Sequence, residues 1–191
     1  MATKAIFLDR DGVLNRLITE RGPRETPTKP EELELLPNVT EALALLKSGG
    51  FTLIVVTNQP NVAKGKSTWE EQVGIEQKLV QLLGENAKVD AVYSCYHHPD
   101  PKQVVVPSML NDCECRKPKP GLLHQAAKHF DIDFDTAWLI GDNSSDIEAG
   151  LAAGIKQERL ISIGGTATIP VRVANNLFEA AQHILRMEET P

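Results

Sequence analysis

The stretch "FLDRDGVLN", residues 7 to 15, sets two carboxylates, Asp9 and Asp11, one residue apart where an apolar run ends and a glycine follows. The run it closes, KAIFLD (4–9), has the unbroken Ile, Phe and Leu content of a strand buried on both faces. Runs of the same kind recur at FTLIVVTN (51–58), VDAVYSC (89–95), TAWLIGD (136–142) and RLISIG (159–164). Segments of helical spacing separate or follow them: NVTEALALLKSGG (38–50), STWEEQVGIEQKLVQLLGENA (67–87), KPGLLHQAAKHF (119–130), SSDIEAGLAAG (144–154) and NNLFEAAQHILRMEE (175–189). Thr68 and Glu71 are spaced for a capping box, and Pro120 suits a first helical turn. Alternating strands and helices predict an α/β protein with a Rossmann-like, doubly wound parallel sheet, and such sheets bind ligands outside the carboxyl ends of their strands.

A length of 191 residues with 41% hydrophobic content suits one domain, 1–191, with a core of its own. The formal charge of −6 excludes the broad positive field of a general nucleic-acid binder but leaves room for a small anion held by local cations. No apolar stretch reaches the roughly 18–20 residues of a membrane span, and MATKAIFLDR meets an acid before a signal-peptide core forms. A cytoplasmic monomer is the expectation. Residues 16–36 and 96–118 fit no regular element, and neither contains a repeat.

The predicted sheet gathers Asp9 and Asp11, Thr57 and Asn58, and Asp142 on one edge, because each lies at the end of a strand. Clustered carboxylates repel one another unless a cation sits among them, and Mg2+ favours a few carboxylates with waters and a phosphate. Arg116, Lys117 and Lys119, just before a helix start, supply the cations of a phosphate site. This set suffices for phosphoryl transfer, one Asp attacking phosphorus while the other serves the leaving oxygen and then water.

In order, FLDRDGVLN (7–15), VVTNQ (55–59), RKPKPG (116–121) and IGDNSSD (140–146) resemble the four signature motifs of the haloacid dehalogenase-like (HAD) phosphatases. The likeness runs from residue 5 to about 164. It implies Asp9 as nucleophile, Asp11 as general acid and base, and Thr57 and Lys117 as phosphoryl clamps. It also implies Mg2+ held by Asp142, Asp9 and the backbone carbonyl of Asp11. Asp146 matches a second acid of the last motif and is expected to support the site rather than ligate. The stretch between the first two motifs is too short for a large cap domain.

All three cysteines lie within 95–115, where Cys95-x-His97 and Cys113-x-Cys115 offer three thiolates and an imidazole, a set suited to closed, structural Zn2+. His98 is the alternative fourth ligand. Zinc bound there would place Arg116 and Lys117, which follow Cys115 directly. Such a loop is similar to that of the D-glycero-D-manno-heptose 1,7-bisphosphate phosphatases and the histidinol-phosphate phosphatases. The first of these implies substrate contacts from Thr57, Asn58, Gln59, Arg116 and Lys117, with Asn143 beside the site.

Three departures from that pattern bear on the substrate: Asn143 in place of a cation, Pro60 and Asn61 after the TNQ stretch, and the charged segment 16–36. Arg16, Arg21 or Arg24 of that segment can restore the missing cation, or the segment is a solvated loop. Lys64 and Lys66 lie where a basic side chain can touch substrate but read first as a solvated helix approach, His124, His129 and His183 as ordinary helix residues, and Trp69 and Trp138 as packing. The expected function is Mg2+-dependent hydrolysis of a small sugar phosphate, heptose bisphosphate first and histidinol phosphate second. A zinc-clamped scaffold that binds phosphate without turnover is the rival of another kind, and the presence of both nucleophile and acid speaks against it.

Overall fold

The computed structural model describes residues 3–189. Six parallel strands form one sheet in the order β3-β2-β1-β4-β5-β6. They are β1 (Ala5–Leu8), β2 (Thr52–Asn58), β3 (Ala91–Cys95), β4 (Trp138–Gly141), β5 (Leu160–Ile163) and β6 (Arg172–Ala174). The helices are α1 (Val39–Ser48), α2 (Trp69–Leu83), α3 (Gly121–Phe130), α4 (Ser144–Ala153) and α5 (Leu177–Glu189).

Side chains alternate across a strand, so one strand feeds two cores. Ile6 and Leu8 pack with Val39, Leu43 and Leu46 of α1, Ile75 and Leu79 of α2, and Ile184 of α5. Phe7 faces the other way, onto Leu122 and Leu123 of α3 and Ile147 of α4. Every residue of β1 is fully buried, as its unbroken apolar sequence requires of a central strand. Burying Ile6, Phe7 or Leu8 stabilises the fold by about 2 kcal/mol each.

The helix boundaries follow local chemistry. Thr68 and Glu71 form the expected capping box of α2, with side chain and backbone satisfying each other in both directions. Asn143 and Asp146 form a second one at α4. The edge strand β6 has no counterpart in the sequence reading: three residues, two of them exposed, carry too little apolar pattern to announce a strand.

From β1 the chain winds outward through β2 and β3, then returns to lay β4 against the other side of β1. This reversal opens a crevice at the carboxyl ends of β1 and β4. Leu8 pairs with Ile140 in register, which sets Asp9 opposite Gly141 and brings Asp142, one residue further on, out at the same edge.

Far from that crevice, Glu188 fastens α5 to the sheet. It accepts from Lys4 Nζ (2.8 Å), Arg159 Nη1 (2.7 Å) and Trp138 Nε1 (3.1 Å). Burial acts against its ionised form, but these donors outweigh it and hold the carboxyl at about 2, below its ordinary 4.5. A folded-state value below the unfolded one gives stability that is present above about pH 5 and lost as pH falls toward 2. Glu188→Gln is therefore expected to lower the thermal midpoint by a few degrees at pH 7. The gap from wild type should close by pH 2 to 3, and a gap unchanged with pH in a thermal melt series would refute the assignment.

Candidate active site

Lys117 lies at the centre of the crevice. Its ammonium group is 2.8 Å from Asp9 Oδ1, 2.6 Å from Asp146 Oδ1 and 2.7 Å from the carbonyl of Val56. Burial works against its charge, but Asp146 and Asp9 more than offset this and raise its pKa above the ordinary lysine range. Its backbone is fixed as well, because Asn58 Nδ2 donates to the Lys117 carbonyl (3.0 Å) and Lys117 N donates to Asn58 Oδ1 (3.1 Å).

Asp9 is buried, and that burial, with the charge of Asp146 and then of Asp142, outweighs the pull of Lys117 and lifts its pKa from 3.8 to about 7. Burial likewise raises Asp142, against the opposing charge of Arg24. Asp9, Asp142 and Asp146 each present a carboxylate oxygen within 4.8 Å of the others. Asp146 is engaged by Lys117 and by the Asn143 N–H, whereas Asp9 and Asp142 offer carboxylate oxygens to a hard divalent cation, which would offset the repulsion of the three acids. Two glycines make the approach possible. A Cβ on Gly12, whose φ is +85°, would lie 2.1 Å from Asp142 Oδ2, and one on Gly141 would lie 2.2 Å from Asp146 Cβ.

Asp11 is held differently. Its carboxylate accepts from Arg10 Nη2 at 3.2 and 3.0 Å, Asn15 Nδ2 at 2.9 Å and Gln59 Nε2 at 2.6 Å. Gln59 also donates to Thr57 Oγ1 at 2.9 Å.

A cavity of about 390 Å3 lies over these groups. Asp9, Asp11, Thr57, Asn58, Arg116, Lys117 and Asn143 all line it. Gln59, expected at the substrate, is fully buried behind the wall, bonded to Asp11 and Thr57. Lys64 and Lys66, read from sequence as a solvated helix approach, also line the cavity. Lys66 pairs with Glu25 at 2.6 Å. Lys64 makes no ion pair among the described residues, and burial with the neighbouring charges of Lys66 and Arg116 lowers its pKa.

Among the arginines of segment 16–36, Arg24 supplies a cation at the site. Its Nη2 is 3.0 Å from both oxygens of Asp142. Arg16 and Arg21 instead pair with Glu34 and Glu32. Asn143 caps α4 through its side chain, and its backbone N–H donates to Asp146 Oδ2 (2.9 Å). Asp146 thereby both orders the helix start and braces Lys117.

At the end of β3 a second cluster joins Cys95, His97, Cys113 and Cys115, all four ligand atoms lying within 4.8 Å of one another. The Sγ atoms of Cys113 and Cys115 are 2.9 Å apart, Cys95 is 3.2 Å from Cys115, and His97 Nδ1 is 3.5 Å from Cys115. His98 stands outside, with its Nδ1 accepting from the backbone of Asp100. Burial pushes the thiols of Cys95 and Cys115 upward. Burial opposes ionisation of Cys113 too, but hydrogen bonds from its neighbours bring it below the ordinary value. Packed thiols of this kind fit a soft divalent cation that takes them as thiolates. Arg116 Nη1 donates to the His97 carbonyl at 3.1 Å, tying the cluster to the cavity wall.

Of the two tryptophans, Trp138 is buried, whereas Trp69 is partly exposed and stacks edge-on against Tyr96. Arg10 and Asn15 carry no sequence signal of a role, and only the convergence of their side chains on Asp11 reveals one.

Residues 114–159 match the HAD-hydrolase-like family, and the chain is a phosphatase of the haloacid dehalogenase-like class. It is 33% identical to the D-glycero-alpha-D-manno-heptose-1,7-bisphosphate 7-phosphatase of Photorhabdus laumondii, across 95% of this chain and 96% of that protein. It belongs to the family of these heptose-bisphosphate phosphatases. The beta-anomer enzyme of Escherichia coli K12 is 32% identical over 97% of this chain and 95% of its own. The B. bronchiseptica D,D-heptose 1,7-bisphosphate phosphatase, solved with magnesium and phosphate, superposes with a TM-score of 0.79 at 28% identity. That alignment covers 97% of this chain and 99% of the other. No described helix is long and apolar enough to cross a membrane.

Proposed function

We propose that the protein hydrolyses D-glycero-D-manno-heptose 1,7-bisphosphate at its 7-phosphate. In this reading, residues 1–191 form one catalytic domain that acts as a cytoplasmic monomer. The observation that carries the substrate is the charge of the cavity. Beyond Lys117, buried among the acids, Lys64 and Arg116 face the cavity without an ion pair among the described residues. A monophosphate needs one cationic pole, and a bisphosphate of this size uses a second. The names of the relatives point to the same substrate.

Asp9 attacks phosphorus, its oxygen forming a new P–O bond while the bond to the sugar oxygen breaks. Asp11 gives its proton to that departing oxygen. Asp11 then takes a proton from water as the water oxygen attacks the aspartyl phosphate, and Asp9 is released with inorganic phosphate. Lys117, with Thr57 beside it, holds the transferred oxygens. Asp9, Asp142 and the backbone carbonyl of Asp11 would hold Mg2+, which when bound neutralises charge developing on the phosphoryl group. Cys95, His97, Cys113 and Cys115 would hold a structural Zn2+.

Phosphate release with Mg2+, measured in parallel on heptose 1,7-bisphosphate and histidinol phosphate, tests the reading. A kcat/KM at least about 100-fold higher for the heptose is expected, as loss of a charged subsite contact costs roughly 2–3 kcal/mol. The reverse preference would assign the protein to hydrolysis of an amino-alcohol phosphate. Silence on both would favour the binding scaffold.

A further inference from the structure

Between the two acids of the opening stretch stands Arg10, the most buried charged side chain described, with no exposed surface. Its Nη2 donates to both oxygens of Asp11, at 3.2 and 3.0 Å. Its Nε and Nη1 have no hydrogen-bond partner among the described residues. Burying a guanidinium away from bulk solvent is costly, and a buried ion pair is often no more stabilising than apolar residues of the same size. Stability therefore does not account for it.

The other donors on Asp11, Asn15 and Gln59, are neutral amides that also donate elsewhere, to the Arg16 carbonyl (2.9 Å) and to Thr57 Oγ1 (2.9 Å). Asn15 Oδ1 and Gln59 Oε1 are buried without partners among the described residues, while their N–H groups point at Asp11. Among the described residues, Arg10 is the only charged group bonded to the carboxyl of Asp11, and the only one of the three donors that reaches both oxygens.

We propose that Arg10 is a positioning residue that acts through Asp11, fixing the plane of its carboxyl so that one oxygen faces the leaving group. The inference rests on the phosphatase reading, in which Asp11 passes a proton to the departing oxygen. When that oxygen belongs to an alkyl ester, it leaves poorly without the proton. When it belongs to a nitrophenyl ester, it leaves readily as the anion.

The test is kcat/KM with Mg2+ on heptose 1,7-bisphosphate, whose 7-phosphate is an alkyl ester, and on 4-nitrophenyl phosphate, since this constant reports the step in which the leaving group departs. Arg10→Gln is expected to lower the alkyl value by about 10–100-fold and the nitrophenyl value by less than about 3-fold. Arg10→Lys should recover part of the loss. In an Asp11→Asn background, the Arg10 change should cost less than about 3-fold on either ester. Equal losses on both esters, or losses that multiply in that background, would overturn the proposal and leave Arg10 a packing residue. If Arg10→Gln does not fold, Arg10→Lys, which keeps the buried charge but not its reach to both oxygens, carries the same comparisons. A wild-type protein silent on both esters would remove the phosphatase reading and the Arg10 inference with it, whereas an active wild type with the wrong pattern removes only the latter.

Discussion

Asp9→Asn is expected to reduce phosphate release by at least about 10^3-fold while leaving the protein folded. The amide keeps the shape of the carboxyl and can accept from Lys117 where Asp9 Oδ1 now does at 2.8 Å, but its oxygen is no nucleophile. Rapid acid quenching with labelled substrate should trap a phosphoprotein in the wild type and none in the variant. The same substitution removes a charge that burial and Asp146 disfavour. The thermal midpoint in metal-free buffer should therefore hold or rise, even though the lysine loses one of its two anions. A variant that melts well below wild type would show that Asp9 is chiefly structural, and one that retains turnover would exclude it as the attacking group.

The second large effect concerns the sulfur cluster. Cys113→Ala together with Cys115→Ala is expected to abolish one equivalent of zinc per chain, read by elemental analysis. Turnover should fall by about 100-fold or more, comparable to losing a positioning interaction in the transition state. The reason is proximity in the chain: Lys117 is the second residue after Cys115, and Arg116 between them bonds back to His97. Structural zinc in isolated finger peptides contributes roughly 10–16 kcal/mol, so even a fraction of that is large for a loop with so little regular structure. Hydrogen exchange should show the loss of order in residues 96–118 before the sheet. Full activity in the variant, or wild-type protein that carries no zinc when purified with it, would dismiss the clamp.

Most of the sheet could be read from the sequence because buried parallel strands advertise themselves, as AIFL and TLIVVTN do. The acids at the strand ends followed from the topology, and the cysteines from their crowding into one segment. What escaped depends on side-chain reach across long separations. Arg16, Arg21 and Arg24 were all candidates for a cation at the site, but nothing local marks Arg24 as the one that meets Asp142 over 118 residues of sequence. Arg10 carries no signal of its own, since the motif is recognised by the acids on either side of it. Gln59 showed the opposite failure: its neighbours line the cavity, but its amide is drawn inward by Asp11. The strand β6 was invisible for a third reason, being short and exposed at the edge of the sheet.

The ion triad of Asp9, Lys117 and Asp146 has a consequence for biosynthesis. Lys117 follows Asp9 by 108 residues, and Asp146 comes later still, so no early portion of a growing polypeptide contains the ensemble. The central strand β1 emerges from the ribosome long before β4, its neighbour at the crevice, and waits with one edge unpaired. Hydrolytic competence thus arrives late in translation, and a prematurely terminated product lacking α4 would be inert toward phosphate esters rather than an unregulated enzyme.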